Sequence, residues 1–269
     1  MNYRHGYHAG NFADVIKHIA LVAILQHLKK KDAAFTVLDS HAGRGRYDLT
    51  GEQAGKTGEA RNGIARLNGL SGPLPEALAT YFSLARQSHA YPGSPLIAAQ
   101  LLRNQDRLIA IEKHPEEFAV LKEVLMPFRG ATVENGDGYA RAVKLLPPVS
   151  RRGLVLMDPP FESPDEFSAL AKALRDGARK FATGIFLAWY PIKSQAEVDG
   201  FTGEVLAGDI TRALVVDTRI TAPEGKLSRA GLLVINPPYG FSATMQDMAK
   251  VIGARLGTAV TVQWITGSE

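Results

Sequence analysis

Gly153-Leu154-Val155-Leu156-Met157-Asp158-Pro159-Pro160-Phe161 decides how this chain is read. The first five residues are a short apolar run, which predicts a buried strand. An acid, two prolines and an aromatic follow at that strand's C-terminal end. Proline stiffens the backbone and has no N–H, so nearby acceptors lack local donors. Two such acceptors stand close together, the Asp158 carboxylate and the Pro159 carbonyl. Phe161 adds a flat face. A planar ring bearing an exocyclic amino group fits this set, its N–H groups meeting the acceptors and its ring stacking on Phe161. Stacking of a base on an aromatic side chain is worth about 1–3 kcal/mol. A plain strand-ending turn accounts for the same letters, since Pro-Pro is common in turns.

The whole chain bounds the alternatives. Its 269 residues, 45% hydrophobic, suffice for one large α/β domain or for a domain with an insertion. No apolar run reaches the roughly 18 residues of a membrane span. Met1-Asn2-Tyr3-Arg4-His5 lacks the apolar core of a signal peptide, so a cytoplasmic protein is expected. Cysteine is absent, which excludes disulfides, thiolate metal sites and cysteine nucleophiles, including the covalent route to carbon 5 of a pyrimidine. Transfer to a nitrogen or oxygen stays open. A net charge of +4 suits a polyanionic partner. Of three basic clusters, Lys29-Lys30-Lys31 reads as a helix end, where cations complement the dipole. Arg44/Arg46 and Arg151-Arg152 flank candidate site segments.

Outward from the opening stretch, the pattern alternates strand and helix. Residues 13–30 predict a well-buried helix, apolar nearly all round. Residues 34–38 predict a strand ending at Asp39, followed by a glycine-containing loop. Punctuation by Gly and Pro over about 50–90 predicts a small helical insertion, with pieces near 59–67 and 75–88. Strands at 107–111 and 131–134 follow, with helices at 116–125 and near 139–146. Beyond Asp158 come a helix near 165–181 and strands near 184–189, 213–220, 231–235 and 259–265. The last two strands are separated by a helix near 242–256. This order predicts an α/β fold with a mainly parallel, doubly wound sheet.

In such a sheet ligands sit outside the carboxyl ends of the strands. Asp39, Glu112, Asp137 and Asp158 each stand at or just past one of four successive strand ends, which suggests a single site. Val37-Leu38-Asp39-Ser40-His41-Ala42-Gly43-Arg44-Gly45 resembles motif I of Rossmann-like methyltransferases, an acid followed by a Gly-x-Gly turn. The closing Gly-Lys-Ser/Thr of a phosphate loop is missing, as is the third glycine of the dinucleotide fingerprint. Glu112 suits ribose hydroxyls, and Asp137-Gly138 suits an adenine amino group. Asp158-Pro159-Pro160-Phe161 resembles motif IV of amino-methyltransferases acting on adenine N6. Asn236-Pro237-Pro238-Tyr239 matches that pattern too, but it ends a much later strand and reads as a turn.

The N-terminal stretch completes the picture. A metal site from His5 and His8 lacks further ligands at a zinc-like spacing, so no metal is expected. Tyr3-Arg4-His5, His8-Ala9-Gly10-Asn11 and Ala13-Asp14-Val15-Ile16-Lys17-His18 carry a resemblance to a family. So do 38–45, Tyr91-Pro92-Gly93-Ser94-Pro95, Asn135-Gly136-Asp137-Gly138 and the motif at Asp158. Nearly end to end, the chain resembles the RlmJ-type 23S rRNA adenine-N6 methyltransferases. The resemblance implies a Rossmann-like, S-adenosyl-L-methionine-dependent fold in one domain over 1–269, with a substrate-contacting segment at 1–18. It implies that His18, His41, Ser94, Glu112, Asp137, Gly138 and Asp158 contact the cofactor or frame its pocket, alongside Asp39 and Gly43 of the glycine turn. Asp158 would be the catalytic acceptor, Tyr3 would touch the RNA, and His5 and Lys17 would lie near the active site. Phe161 stands where the family often has Tyr, which keeps the stacking face and removes a hydroxyl. Arg4, Lys17, Arg44, Arg46, Arg151 and Arg152 are expected to meet phosphates of the 23S rRNA, bound by a monomer. Other readings are a DNA adenine methyltransferase, a non-catalytic RNA-binding protein and a glutamine-side-chain methyltransferase.

Overall fold

The computed structural model describes residues 8–50, 58–70, 72–86 and 90–269. Helix α1 (Phe12–Lys29) opens the described chain, its N-terminus capped by the Asn11 side chain, which accepts from the Asp14 N–H. It is buried nearly all round, as its unbroken apolar sequence predicts; Ile19, Leu21 and Ile24 are fully enclosed. Its last turn carries Lys29, with Lys30 as the C-cap, so the lysine run does end a helix.

Strand β1 (Thr36–Asp39) is followed by a two-residue β2 (Arg46–Tyr47) that pairs with β3 (Tyr91–Pro92). Between β2 and β3 the expected helix at 59–67 is instead two 3-10 turns, Glu59–Asn62 and Ile64–Leu67. Gly63 explains the break. A Cβ there would lie 2.0 Å from the Gly10 carbonyl oxygen, and the next N–H, of Ile64, donates to that same oxygen at 2.9 Å. The backbone contact with residue 10 overrides local helix preference. Helix α2 (Glu76–Arg86) then packs on α1.

Helix α3 (Ser94–Leu101), β4 (Arg107–Glu112), helix α4 (Pro115–Leu125), β5 (Ala131–Asn135) and helix α5 (Gly138–Lys144) follow. Next come β6 (Gly153–Met157), helix α6 (Glu166–Lys180), β7 (Ile185–Pro191) and helix α7 (Gln195–Leu206). The chain closes with β8 (Ala213–Ile220), β9 (Arg229–Ile235), helix α8 (Phe241–Leu256) and β10 (Thr258–Thr266). Helix α7 was not foreseen. Val198, Phe201 and Val205 carried its buried stripe, but Gly200 and Gly203 diluted the pattern.

Eight strands form one sheet in the order β10-β8-β9-β7-β6-β1-β4-β5. From β5 to β7 every pairing is parallel, and β9, β8 and β10 join antiparallel. β6 lies directly beside β1, with Asp39 opposite Leu156, so Asp39 and Asp158 end neighbouring strands. Alternate residues face opposite layers. Leu154 and Leu156 join the core under α1, α3 and α8, whereas Val155 and Met157 join the core under α5, α6 and α7. The sheet is therefore covered on both faces, as the unbroken apolar strands require.

Candidate active site

The parallel strands bring Asp39, Glu112, Asp137 and Asp158 to one end of the sheet. There a cavity of about 430 Å³ opens, bounded by α1, the turn after β1, and the strand ends of β4, β5 and β6. Of the residues singled out above, Lys17, His18, His41, Gly43, Ser94, Glu112, Asp137, Gly138 and Asp158 line it. Asp39 lies beneath it, and Pro159, Phe161 and Arg46 stand outside it.

The glycine turn is tight for identifiable reasons. Gly43 has φ +61°, and a Cβ there would lie 2.3 Å from the Tyr47 hydroxyl. Its N–H donates to Glu112 Oε2 at 2.8 Å, and the His114 N–H donates to Oε1 at 2.7 Å. Glu112 thereby pins the turn to β4. Burial pushes its carboxyl up, opposed by those two backbone donors. Asp137 caps α5, accepting from the Ala140 N–H at 3.1 Å and from Lys113 Nζ at 3.3 Å. Burial raises its carboxyl, but these donors outweigh it and hold the group below the usual carboxylate range. Gly138 passes so close to the turn that a Cβ would lie 2.1 Å from the Ser40 carbonyl oxygen and 2.9 Å from His41 Nε2. His41 is hydrogen-bonded through Nδ1 to Ser40 Oγ at 2.8 Å, and burial lowers its imidazole to about 4, so it is neutral at physiological pH. Tyr139 stands edge-on to the His41 ring and donates to Glu166 Oε1 at 2.7 Å.

Charge concentrates on the other side of the cavity. Lys17 is 3% exposed and donates to Asp14 Oδ1 at 2.7 Å and to Asp158 Oδ2. Burial works against its charge, but Asp14 and Asp158 more than compensate and raise its titration above the usual lysine range. Asp14 also accepts from the Gly10 N–H at 2.9 Å, which ties the loop before α1 to the same cluster. Asp39 accepts from Ser94 Oγ at 2.7 Å, and its other oxygen has no hydrogen-bond partner. His18 joins through Nδ1 to the Tyr91 hydroxyl at 2.8 Å.

Pro159 is buried, and Phe161 adopts φ +50°, a conformation costly for an aromatic residue and characteristic of functional turns. Its ring is held edge-to-face by Phe167 at 4.8 Å and Trp189 at 5.8 Å. Trp189, Phe167, Tyr139 and Glu166 were not singled out from sequence. The position of Trp189 near the end of β7, next to β6, was the available signal.

Several expectations are redirected. Lys17 is enclosed and bonded to two carboxylates, so it does not present its charge to a phosphate. Arg44 forms a two-point pair with Glu117, at 2.7 and 2.6 Å. Arg151 and Arg152 precede β6 and so lie at the opposite end of the sheet from Asp158; Arg152 donates to the Ala33 and Leu28 carbonyls. Arg46 remains exposed beside the site. Asn236 ends β9, which runs antiparallel to β7, so it also lies at the far end. Its side chain donates to the Ala182 and Gly184 carbonyls, both at 2.8 Å, and Tyr239 is 80% exposed, as expected of a turn. His8 is bonded to Glu59 at 3.0 Å. Tyr3, Arg4 and His5 lie outside the described residues. No helix among the described residues is long and apolar enough to cross a membrane.

An acid-rich cavity with a backbone cradle at Gly43 and Gly138, and an orphaned carboxylate oxygen beneath, suits a nucleoside-like ligand carrying positive charge. Fold and site together define an α/β methyltransferase. A family model described as "Ribosomal RNA large subunit methyltransferase D, RlmJ" matches residues 32–266. Two curated relatives are each called "Ribosomal RNA large subunit methyltransferase J". The one from Escherichia coli K12 is 38% identical, over 98% of this chain and 99% of its own. The one from Haemophilus influenzae is 37% identical, over 99% of both. A crystal structure of a Legionella pneumophila protein superposes with a TM-score of 0.87 at 31% identity, covering 97% of this chain and 99% of that one. The chain belongs to the RlmJ family of large-subunit ribosomal RNA methyltransferases.

Proposed function

We propose that this enzyme transfers a methyl group from S-adenosyl-L-methionine to N6 of an adenine in 23S rRNA, in the cytoplasm where ribosomes are assembled. The observation that carries this reading is the position of Asp158: at the end of β6, lining the cavity, with one oxygen held by Lys17. The other oxygen, Oδ1, is left for an amino group. Glu112 is placed to accept from ribose hydroxyls and Asp137 from the cofactor's adenine amino group. The sulfonium of the cofactor supplies an electrophilic methyl, so the protein has only to orient the nucleophile and shape the field around it.

The target adenine must be unpaired or extruded, because its reacting atom is out of reach inside a duplex. Phe161 stacks on it, and Trp189 and Phe167 keep the Phe161 ring from turning. Asp158 Oδ1 and the Pro159 carbonyl accept from the amino group. That draws the nitrogen lone pair out of ring conjugation and aims it at the methyl. Tyr3, His5 and exposed Arg46 contact the RNA around the cavity mouth.

Methyl transfer from labelled cofactor to unmodified large-subunit rRNA, with nucleoside analysis, tests the reading. N6-methyladenine is the expected product. Label in a matched DNA strand and none in RNA would move the substrate class to DNA. Cofactor binding without transfer to either would remove the catalytic reading.

The cofactor cradle makes its own prediction. Gly138→Ala sets a methyl group against the Ser40 carbonyl, and backbone on both sides must shift. Overpacking of this kind costs about 1–3 kcal/mol. The expected result is a lower melting temperature and a cofactor affinity reduced about tenfold or more, read by calorimetry. Wild-type affinity in this variant would remove Gly138 from the cradle.

A further inference from the structure

Asp39 is a buried carboxyl that the proposed chemistry leaves idle. It ends β1, is 1% exposed, and has one oxygen on Ser94 and the other without a hydrogen-bond partner. Two further carboxylates, Asp14 and Asp158, both pair with the ammonium of Lys17. Asp39 lies beside this cluster, and the side chain that hydrogen-bonds it is a neutral hydroxyl, that of Ser94. Ionising Asp39 there adds a buried negative charge near that of Asp158, which is costly. Burial raises its carboxyl, Ser94 opposes, Asp158 reinforces, and Lys17 and the His41 N–H oppose, the net being a carboxyl pushed up to about 7. The other groups around the cavity floor are Glu112 at the end of β4, His18 on α1, and His41, which burial keeps neutral.

We propose that Asp39 carries a proton in the ligand-free protein and releases it when the cationic methyl donor enters, so that binding of the sulfonium, unlike that of the neutral thioether product, is linked to proton release. This rests on the cofactor reading above. A unit positive charge close to a buried carboxyl favours the ionised form and moves its titration down by about 1–3 pH units. The neutral sulfur of the product exerts no such pull, so Asp39 regains a proton from solvent once the methyl has left. The site therefore distinguishes donor from product by charge.

Calorimetry of the full chain at pH 6.5, in two buffers of different ionisation enthalpy, counts the protons. The ligands are S-adenosylmethionine and S-adenosylhomocysteine. The ligand's own ammonium contributes little at this pH, since α-amino groups titrate near about 8. Release of about half a proton is expected with the first ligand and almost none with the second. The donor's Kd then tightens about threefold per pH unit around pH 6.5, while the product's stays level. Asp39→Asn loses the release. Ser94→Ala, which removes the donor favouring the ionised form, moves it to higher pH and serves if the first variant does not fold. Equal proton counts for the two ligands, or release that persists in Asp39→Asn, overturns the proposal. Failure of both ligands to bind overturns the cofactor reading itself.

Discussion

Asp158→Ala is expected to cut methyl transfer to rRNA by about 10³-fold at saturating cofactor and RNA, with the protein still folded. The alanine leaves the Pro159 carbonyl as the sole acceptor, so the amino nitrogen is neither oriented nor freed from ring conjugation. The fold survives for an electrostatic reason. Lys17 keeps its bond to Asp14, and the charge of Asp39, no longer repelled by Asp158, takes over part of the lost compensation. Asp158→Asn retains one side-chain acceptor and should fall between alanine and wild type. Single-turnover rates, with melting curves as the control, decide the matter. An alanine variant that transfers within tenfold of wild type would show that some other group holds the amino nitrogen.

The part of this site that follows strand order was legible in the sequence; the part made by distant pairs was not. Four acids at four strand ends follow from apolar runs and the parallel topology, because a doubly wound sheet sends successive strand ends to one side. The same logic, applied to position within a strand, corrects the reading of Arg151 and Arg152. They precede a five-residue strand that Asp158 follows, which separates them by roughly 20 Å. Closeness in sequence was mistaken for closeness in space. The pairing of Arg44 with Glu117 and of Lys17 with Asp158 had no local signal, since those partners are 73 and 141 residues apart. The break at Gly63 likewise depends on contact with Gly10, which local helix preference does not encode. Tertiary contact decided these cases, and each moved a basic residue or a helix away from its expected role.

Lys17 itself carries the largest expected stability effect. Lys17→Met removes the ammonium that Asp14 and Asp158 share while preserving much of the side-chain volume. Losing one partner of a buried ion pair typically costs about 3–5 kcal/mol, because the remaining charge is left uncompensated. In the wild-type chain the titration of Lys17 is raised in the fold, so its contribution is fully present below the unfolded lysine value and fades only in strongly alkaline solution. In the variant the burden passes to the carboxylates, whose folded-state titrations rise. The folded state then binds more protons than the unfolded chain across the mildly acidic range, so stability falls as pH increases. The deficit of the variant should therefore be large at pH 8 and shrink toward pH 5. Denaturant unfolding of both proteins at the two pH values measures it directly. A loss below about 1 kcal/mol at pH 8, the size of a surface pair, would mean that water reaches this cluster and that Lys17 is not what holds it together.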